Sequence, residues 1–167
     1  MMKRIVLLVG LLCMVLAMGC PYSSKAPLAD PSGKVLDDRL IGEWAVVDVD
    51  GDSMRITLLP FNEGEYYAEL RENGGNPSRY RVFGFGIGSA RLLHVNEISE
   101  GREPPEYSFA RYTFSGNSEL EVTFVGDKVV PEALATDPQA LLSFLEKHLE
   151  DSALDDEETR LVMRRVE

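Results

Sequence analysis

The chain of 167 residues is short of the residue types that build most reactive centres. It has two cysteines, Cys13 and Cys20, and two histidines, His94 and His148. Two isolated histidines without a usable thiol make a zinc site improbable, and no Cys–His nucleophile can be assembled. No Gly-x-Ser-x-Gly elbow is present. Basic residues are also scarce, 17 Lys and Arg against 28 Asp and Glu, for a formal charge of −11. A chain with no basic patch cannot neutralise a phosphate backbone, so nucleic acid is excluded as a partner. Charge alone would not hold it to anionic lipid headgroups either. The longest apolar run, Ile5–Ala17, has 13 residues, too few for a helix to cross a bilayer. Asp48-Val49-Asp50-Gly51-Asp52-Ser53 echoes the start of a calcium loop but lacks the distal glutamate. The expectation is no catalytic group, no metal and no cofactor.

The amino end carries a recognisable pattern. Lys3 and Arg4 precede the apolar run, which ends in Leu16-Ala17-Met18-Gly19-Cys20. Positive start, short apolar core and small residues describe a secretory signal over residues 1–19. The final residues resemble a bacterial lipobox, with Ala17 where leucine is commonest. That resemblance implies cleavage before Cys20 and lipidation of Cys20 itself. It also implies a cell-envelope protein held to a membrane by its N-terminal lipid. An Asp after the cysteine favours the inner membrane in such proteins; Pro21 stands there instead, which points to the outer membrane, facing the periplasm. Loss of Lys3 and Arg4 would take the formal charge from −11 to −13. No disulfide would remain, so the core must suffice for stability.

Residues 20–37 hold the cysteine and a stretch of Pro, Ser, Lys, Asp and Gly with little apolar pattern. They read as a flexible tether reaching roughly 50–60 Å when taut, at about 3.3 Å per residue.

Residues 38–167 read as a single β-rich domain. Strands are expected at 42–49, 54–59, 65–71, 79–87, 90–95, 106–114, 119–125 and 160–166. Leu120, Val122 and Phe124 alternate with Glu119, Glu121 and Thr123, and Met54, Ile56 and Leu58 alternate with Arg55 and Thr57. Turn signals at Asp50-Gly51, Asn62-Glu63-Gly64, Asn73-Gly74-Gly75, Gly88-Ser89 and Gly116-Asn117 join them into an antiparallel meander, with a longer polar loop at 100–105. Thr136 or Asp137 caps one helix, whose apolar stripe is Leu141, Leu142, Leu145, His148 and Leu149. An acidic loop, Asp155 to Glu158, precedes the last strand. The fold class is therefore mainly β: an antiparallel meander of about eight strands, closed as a barrel or strongly bent, with one packed helix before the last strand.

Gly42-Glu43-Trp44 opens the first strand, and Trp44 is the only tryptophan. A Gly-x-Trp on a first strand, a meander and a late arginine resemble the lipocalin-like small barrels. In that family the tryptophan plugs the closed end and an arginine from the last strand packs over it, which implies Arg165 or Arg164 here. The helix before the last strand departs from lipocalins proper, which place theirs after the barrel.

Phe83-Gly84-Phe85-Gly86-Ile87-Gly88 alternates bulk with glycine. It is either a coiled strand across which another side chain lies, or a bare strip for a ligand. In the second case Gly84, Gly86 and Gly88 form the strip, and Phe83, Phe85, Tyr66 and Tyr112 line it. The expected function is a binding module for a small apolar ligand or an envelope partner. The rival is a structural or inhibitory envelope protein that meets a basic protein through its acidic surface. A hollow or a filled barrel separates the two, since eight strands permit either.

Overall fold

Eight strands, most of them alternating apolar and polar residues, close on themselves. The computed structural model describes residues 21–46, 54–99, 105–149, 154–155 and 157–166. The strands are β1 (Gly42–Val46), β2 (Met54–Pro60), β3 (Tyr66–Glu72), β4 (Ser78–Ile87), β5 (Ala90–Glu97), β6 (Tyr107–Ser115), β7 (Glu119–Phe124) and β8 (Leu161–Arg165). Each pairs antiparallel with its neighbour in sequence, and β8 returns to pair with β1, Trp44 opposite Arg165. The barrel is an eight-stranded antiparallel meander with a helix, α1 (Pro138–His148), between β7 and β8. Closure removes the sheet edges on which open meanders aggregate.

Two cores share the barrel wall. The inner one gathers Leu40, Trp44, Leu58, Ala68, Val82, Leu93, Ala110, Leu120, Val122 and Met163. The outer one lies against β4, β5 and β6, where Phe83, Phe85, Ile87, Leu92 and Phe109 meet Leu141 and Leu145 of the helix and Leu149 just past its end. The helix starts where the sequence places it, and Asp137 rather than Thr136 is the cap: its carboxylate accepts the N–H groups of Gln139 and Ala140.

Residues 21–37, expected to form a free tether, are instead a strap built onto the barrel. Pro21 bridges to Gly126 and Ser24 to Tyr107. The Tyr22 N–H donates to Val125 O at 2.8 Å, and Ser24 and Tyr107 exchange two main-chain hydrogen bonds of 2.9 and 2.8 Å. Tyr22, Ser24 and Leu28 are buried. Farther along, Pro31 and Lys34 lie so close to Gly64 that a Cβ there would sit 2.5 Å from Pro31 O. Asp37 then meets Tyr66 of β3. The strap thus runs from one end of the barrel to the other along its outer wall. Composition suggested a tether because its contacts are main-chain bonds plus a few isolated side chains, which leave no periodic pattern. Cys20, the calcium-like stretch Asp48–Ser53 with its Asp50-Gly51 turn, and residues 100–104 of the polar loop lie outside the described residues.

Candidate functional site

The two ends of the barrel differ, and their difference defines the site. At the first end the chain enters through residues 37–41. Trp44 is fully buried there, and its Nε1–H donates to Leu40 O at 2.9 Å. The Arg165 guanidinium lies over the indole, 4.4 Å from the ring centroid. Its Nη1 donates to Ile41 O at 2.7 Å and its Nη2 to Arg39 O, so the last strand is tied across the entry of the chain. Gly42 has φ 136°, and a Cβ on it would lie 2.6 Å from Arg165 Nη1. The backbone angle calls for glycine there, and a side chain would also push the guanidinium aside. Of the two arginines offered by the sequence for this place, Arg165 faces inward, while Arg164 is exposed with Glu119 3.9 Å away. Phe114 leans on Trp44 at 6.2 Å between centroids and is covered by Arg39 at 4.5 Å. Tyr66 Oη accepts the Asp37 N–H at 2.6 Å and donates to Asp37 O at 3.2 Å. Burial pushes the Tyr66 phenol up to about 12. The hydrogen bonds from Arg39 hold the Asp37 carboxyl below the usual carboxylate range. This end is closed.

Above that floor the barrel is hollow. A cavity of about 660 Å³ extends from Leu40 towards the other end. Its walls follow from the period of two: Ile56 and Leu58 of β2, Ala68 and Leu70 of β3, Tyr80 and Val82 of β4, Leu93 and Val95 of β5, Val122 and Phe124 of β7, and Leu161 and Met163 of β8. Deep positions such as Leu58, Ala68, Val82, Leu93 and Val122 are buried; Ile56, Leu70, Tyr80, Phe124 and Leu161 are partly exposed. At the far end the lining turns polar, with Glu97, Glu106, Ser108 and Ser23 beside Pro21. Pro21, Ser23 and Glu106 are exposed, so the cavity opens there. The Ser23 hydroxyl donates to Glu106 Oε2 at 3.3 Å. The strap thereby forms part of this mouth, with Pro21 and Ser23 turned to the cavity and Tyr22 and Ser24 turned to the outer core.

The volume falls in the range of about 300–1,000 Å³ typical of small-molecule sites. An apolar interior of this kind stays dry or takes an apolar guest, because water inside would find too few polar partners. Chemically the site can exclude water, match an apolar body by shape, and meet one polar group at the rim.

The residues singled out from sequence fall in three places. Gly84 and Gly86 face inward on β4, but towards the closed end: Tyr112 Oη lies 4.0 Å from where a Gly84 Cβ would stand, so Tyr112 lies across the bare strip. Tyr66 and Tyr112 belong to the inner core at that end. Gly88 is in the β4–β5 turn at φ 56°. Phe83 and Phe85 point the opposite way, into the outer core beneath the strap and helix. None of these seven is among the described lining of the cavity. Most residues that do line it are inward members of the alternations on β2 to β8, above the floor at Leu40, a signal present in the sequence once the inner face of each strand is known.

Outside the wall, a second recess of about 500 Å³ lies between strap residues 27–31, the start of α1 and strands β4–β6. It is more polar, with Asp30, Asn96, Gln139 and the Glu65–Arg81 ion pair. His94 borders it, 1% exposed and packed among Phe83 at 4.3 Å, Tyr107 at 4.8 Å and Phe109 at 5.2 Å. Desolvation lowers the His94 imidazole to about 4, so it is neutral at physiological pH. His148 packs at a tilt against Phe144, 4.3 Å between centroids. Among the described residues no group of three His, Cys, Asp or Glu side chains is placed to hold a metal ion.

No protein-family model, curated protein or solved structure matches the chain. The reading of the site therefore rests on its geometry.

Proposed function

We propose that this protein is a lipid-anchored cell-envelope binding module that holds one small apolar molecule inside its barrel. One observation carries the reading: an apolar cavity of about 660 Å³, floored by Leu40 above the Trp44–Arg165 plug and open at the opposite end. Burying an apolar guest gains roughly 25 cal/mol per Å² of surface withdrawn from water, so a molecule burying about 300 Å² gains several kcal/mol before ordering costs. The lipobox-like Leu16–Cys20 supports the anchor, with Cys20 as the lipidated residue.

Two experiments test this. The domain beginning at Pro21, purified from its own host without detergent and extracted with organic solvent, should release one apolar species in near-stoichiometric amount; extracts no different from those of an unrelated exported protein would count against it. Cys20→Ala should move the protein from the membrane to the soluble fraction on cell fractionation, and an unchanged distribution would remove the anchor.

A further inference from the structure

The strap fixes where an anchor on Cys20 would stand relative to the cavity. Cys20 directly precedes Pro21 in the sequence. Pro21 is itself a wall of the cavity mouth and bridges to Gly126. The next three residues are held on both sides: Tyr22 to Val125, Ser24 to Tyr107, with the Tyr22 and Ser24 side chains buried. No free chain separates the rim from the residue before it. A domain on a long tether could face any way; a domain attached at its rim cannot. Ile98, 47% exposed, follows β5 at the same end of the barrel and offers that end an apolar side chain.

We propose that the barrel stands mouth-down on the membrane and loads its ligand directly from the lipid leaflet. This rests on the proposed binding function and names its ligand class: a bilayer-dissolved molecule with an apolar body and a neutral or cationic head. The head is specified by the rim. Glu97 and Glu106 line the mouth, and the exposed Glu106 carboxylate disfavours an anionic head while accepting hydrogen bonds from an amine or hydroxyl. The strongly acidic surface fits the same picture, because attachment depends on the covalent lipid and not on charge attraction.

The test uses the full lipidated chain in phosphatidylcholine vesicles. After processing, Cys20 is the only native cysteine and it is acylated, so Ile98→Cys and Glu63→Cys each take one fluorophore. Glu63 lies in the β2–β3 turn at the closed end, roughly 20 Å from the mouth along strands rising about 3.3 Å per residue. Headgroup nitroxide lipids should quench the label at 98 at least threefold more than the label at 63. A ten-residue Gly-Ser spacer between Cys20 and Pro21 should abolish that difference. It should also slow uptake of N-phenyl-1-naphthylamine from donor vesicles severalfold, while leaving the equilibrium binding of that probe by the domain in solution unchanged. Equal quenching at both positions, or stronger quenching at 63, overturns the orientation. Uptake indifferent to the spacer overturns loading from the leaflet. A domain that binds no probe in solution would instead defeat the binding function itself, a result the quenching data do not depend on.

Discussion

Trp44 is held by three separate interactions, and each answers to a different substitution. Its indole N–H is satisfied by Leu40 O, its face is covered by Arg165, and Phe114 packs against it at a tilt. A cation over an indole face is worth about 0.5–2 kcal/mol. A double-mutant cycle on Trp44→Leu and Arg165→Met, read from denaturation midpoints, should give coupling in that range. Coupling indistinguishable from zero would mean that the guanidinium acts only through the Ile41 and Arg39 carbonyls. His94 presents the opposite case, a titratable group deprived of water. Its folded pKa, about 4, lies below the ordinary 6.5, so between those values the unfolded chain binds a proton that the folded chain refuses. Stability therefore falls as pH drops from 6.5 to 4, by on the order of 3 kcal/mol from this residue. His94→Phe should flatten that part of the stability–pH curve relative to wild type. Parallel curves for the two proteins would show that His94 titrates normally.

The strap shows where a sequence reading stops at the level of elements. The strands were legible because alternation at Leu120, Val122 and Phe124, or at Met54, Ile56 and Leu58, needs only local sequence. The helix was legible from Asp137, Pro138 and the Leu141–Leu145 spacing. Alternation does not say which face is inside when both faces are apolar, as on β4. There Phe83 and Phe85 look like lining residues, yet they lie outside because the strap and α1 cover that wall. The strap itself was illegible, since its hold is main-chain bonding to Val125 and Tyr107 together with Tyr22 and Leu28 in isolation. Tyr22→Ala should cost about 3 kcal/mol, as other buried aromatic truncations do. Tyr22→Phe should cost less than about 1 kcal/mol, because the phenol oxygen is buried without a hydrogen-bond partner among the described residues. Amide exchange at Tyr22 and Ser24 should be slow in wild type and fast in the alanine variant. A Tyr22→Ala effect below about 0.5 kcal/mol would return residues 21–37 to a loose tether.

At the scale of the whole molecule, the barrel divides its inner volume. The closed end spends its large side chains on Trp44, Tyr66, Tyr112 and Phe114, with Arg165 over the plug. Above it the wall carries Ala68, Val82, Val95 and Ser108, which leave space between them. Bulky aromatics at one end and smaller wall residues above them leave, among the described residues, a pocket that opens on the side where the strap begins. If that space is the binding site, filling it must abolish binding without disturbing the plug. Ala68→Phe adds an aromatic ring to the cavity wall, and Trp44 emission and the denaturation midpoint check that fold and plug are kept. The central measurement is a fluorescence titration of the domain with N-phenyl-1-naphthylamine, a neutral apolar probe, in wild type and Ala68→Phe. The account predicts saturable one-to-one binding by wild type, and affinity at least tenfold weaker in the variant. Absent or non-saturable binding by wild type, or equal affinity in the two proteins, would contradict it.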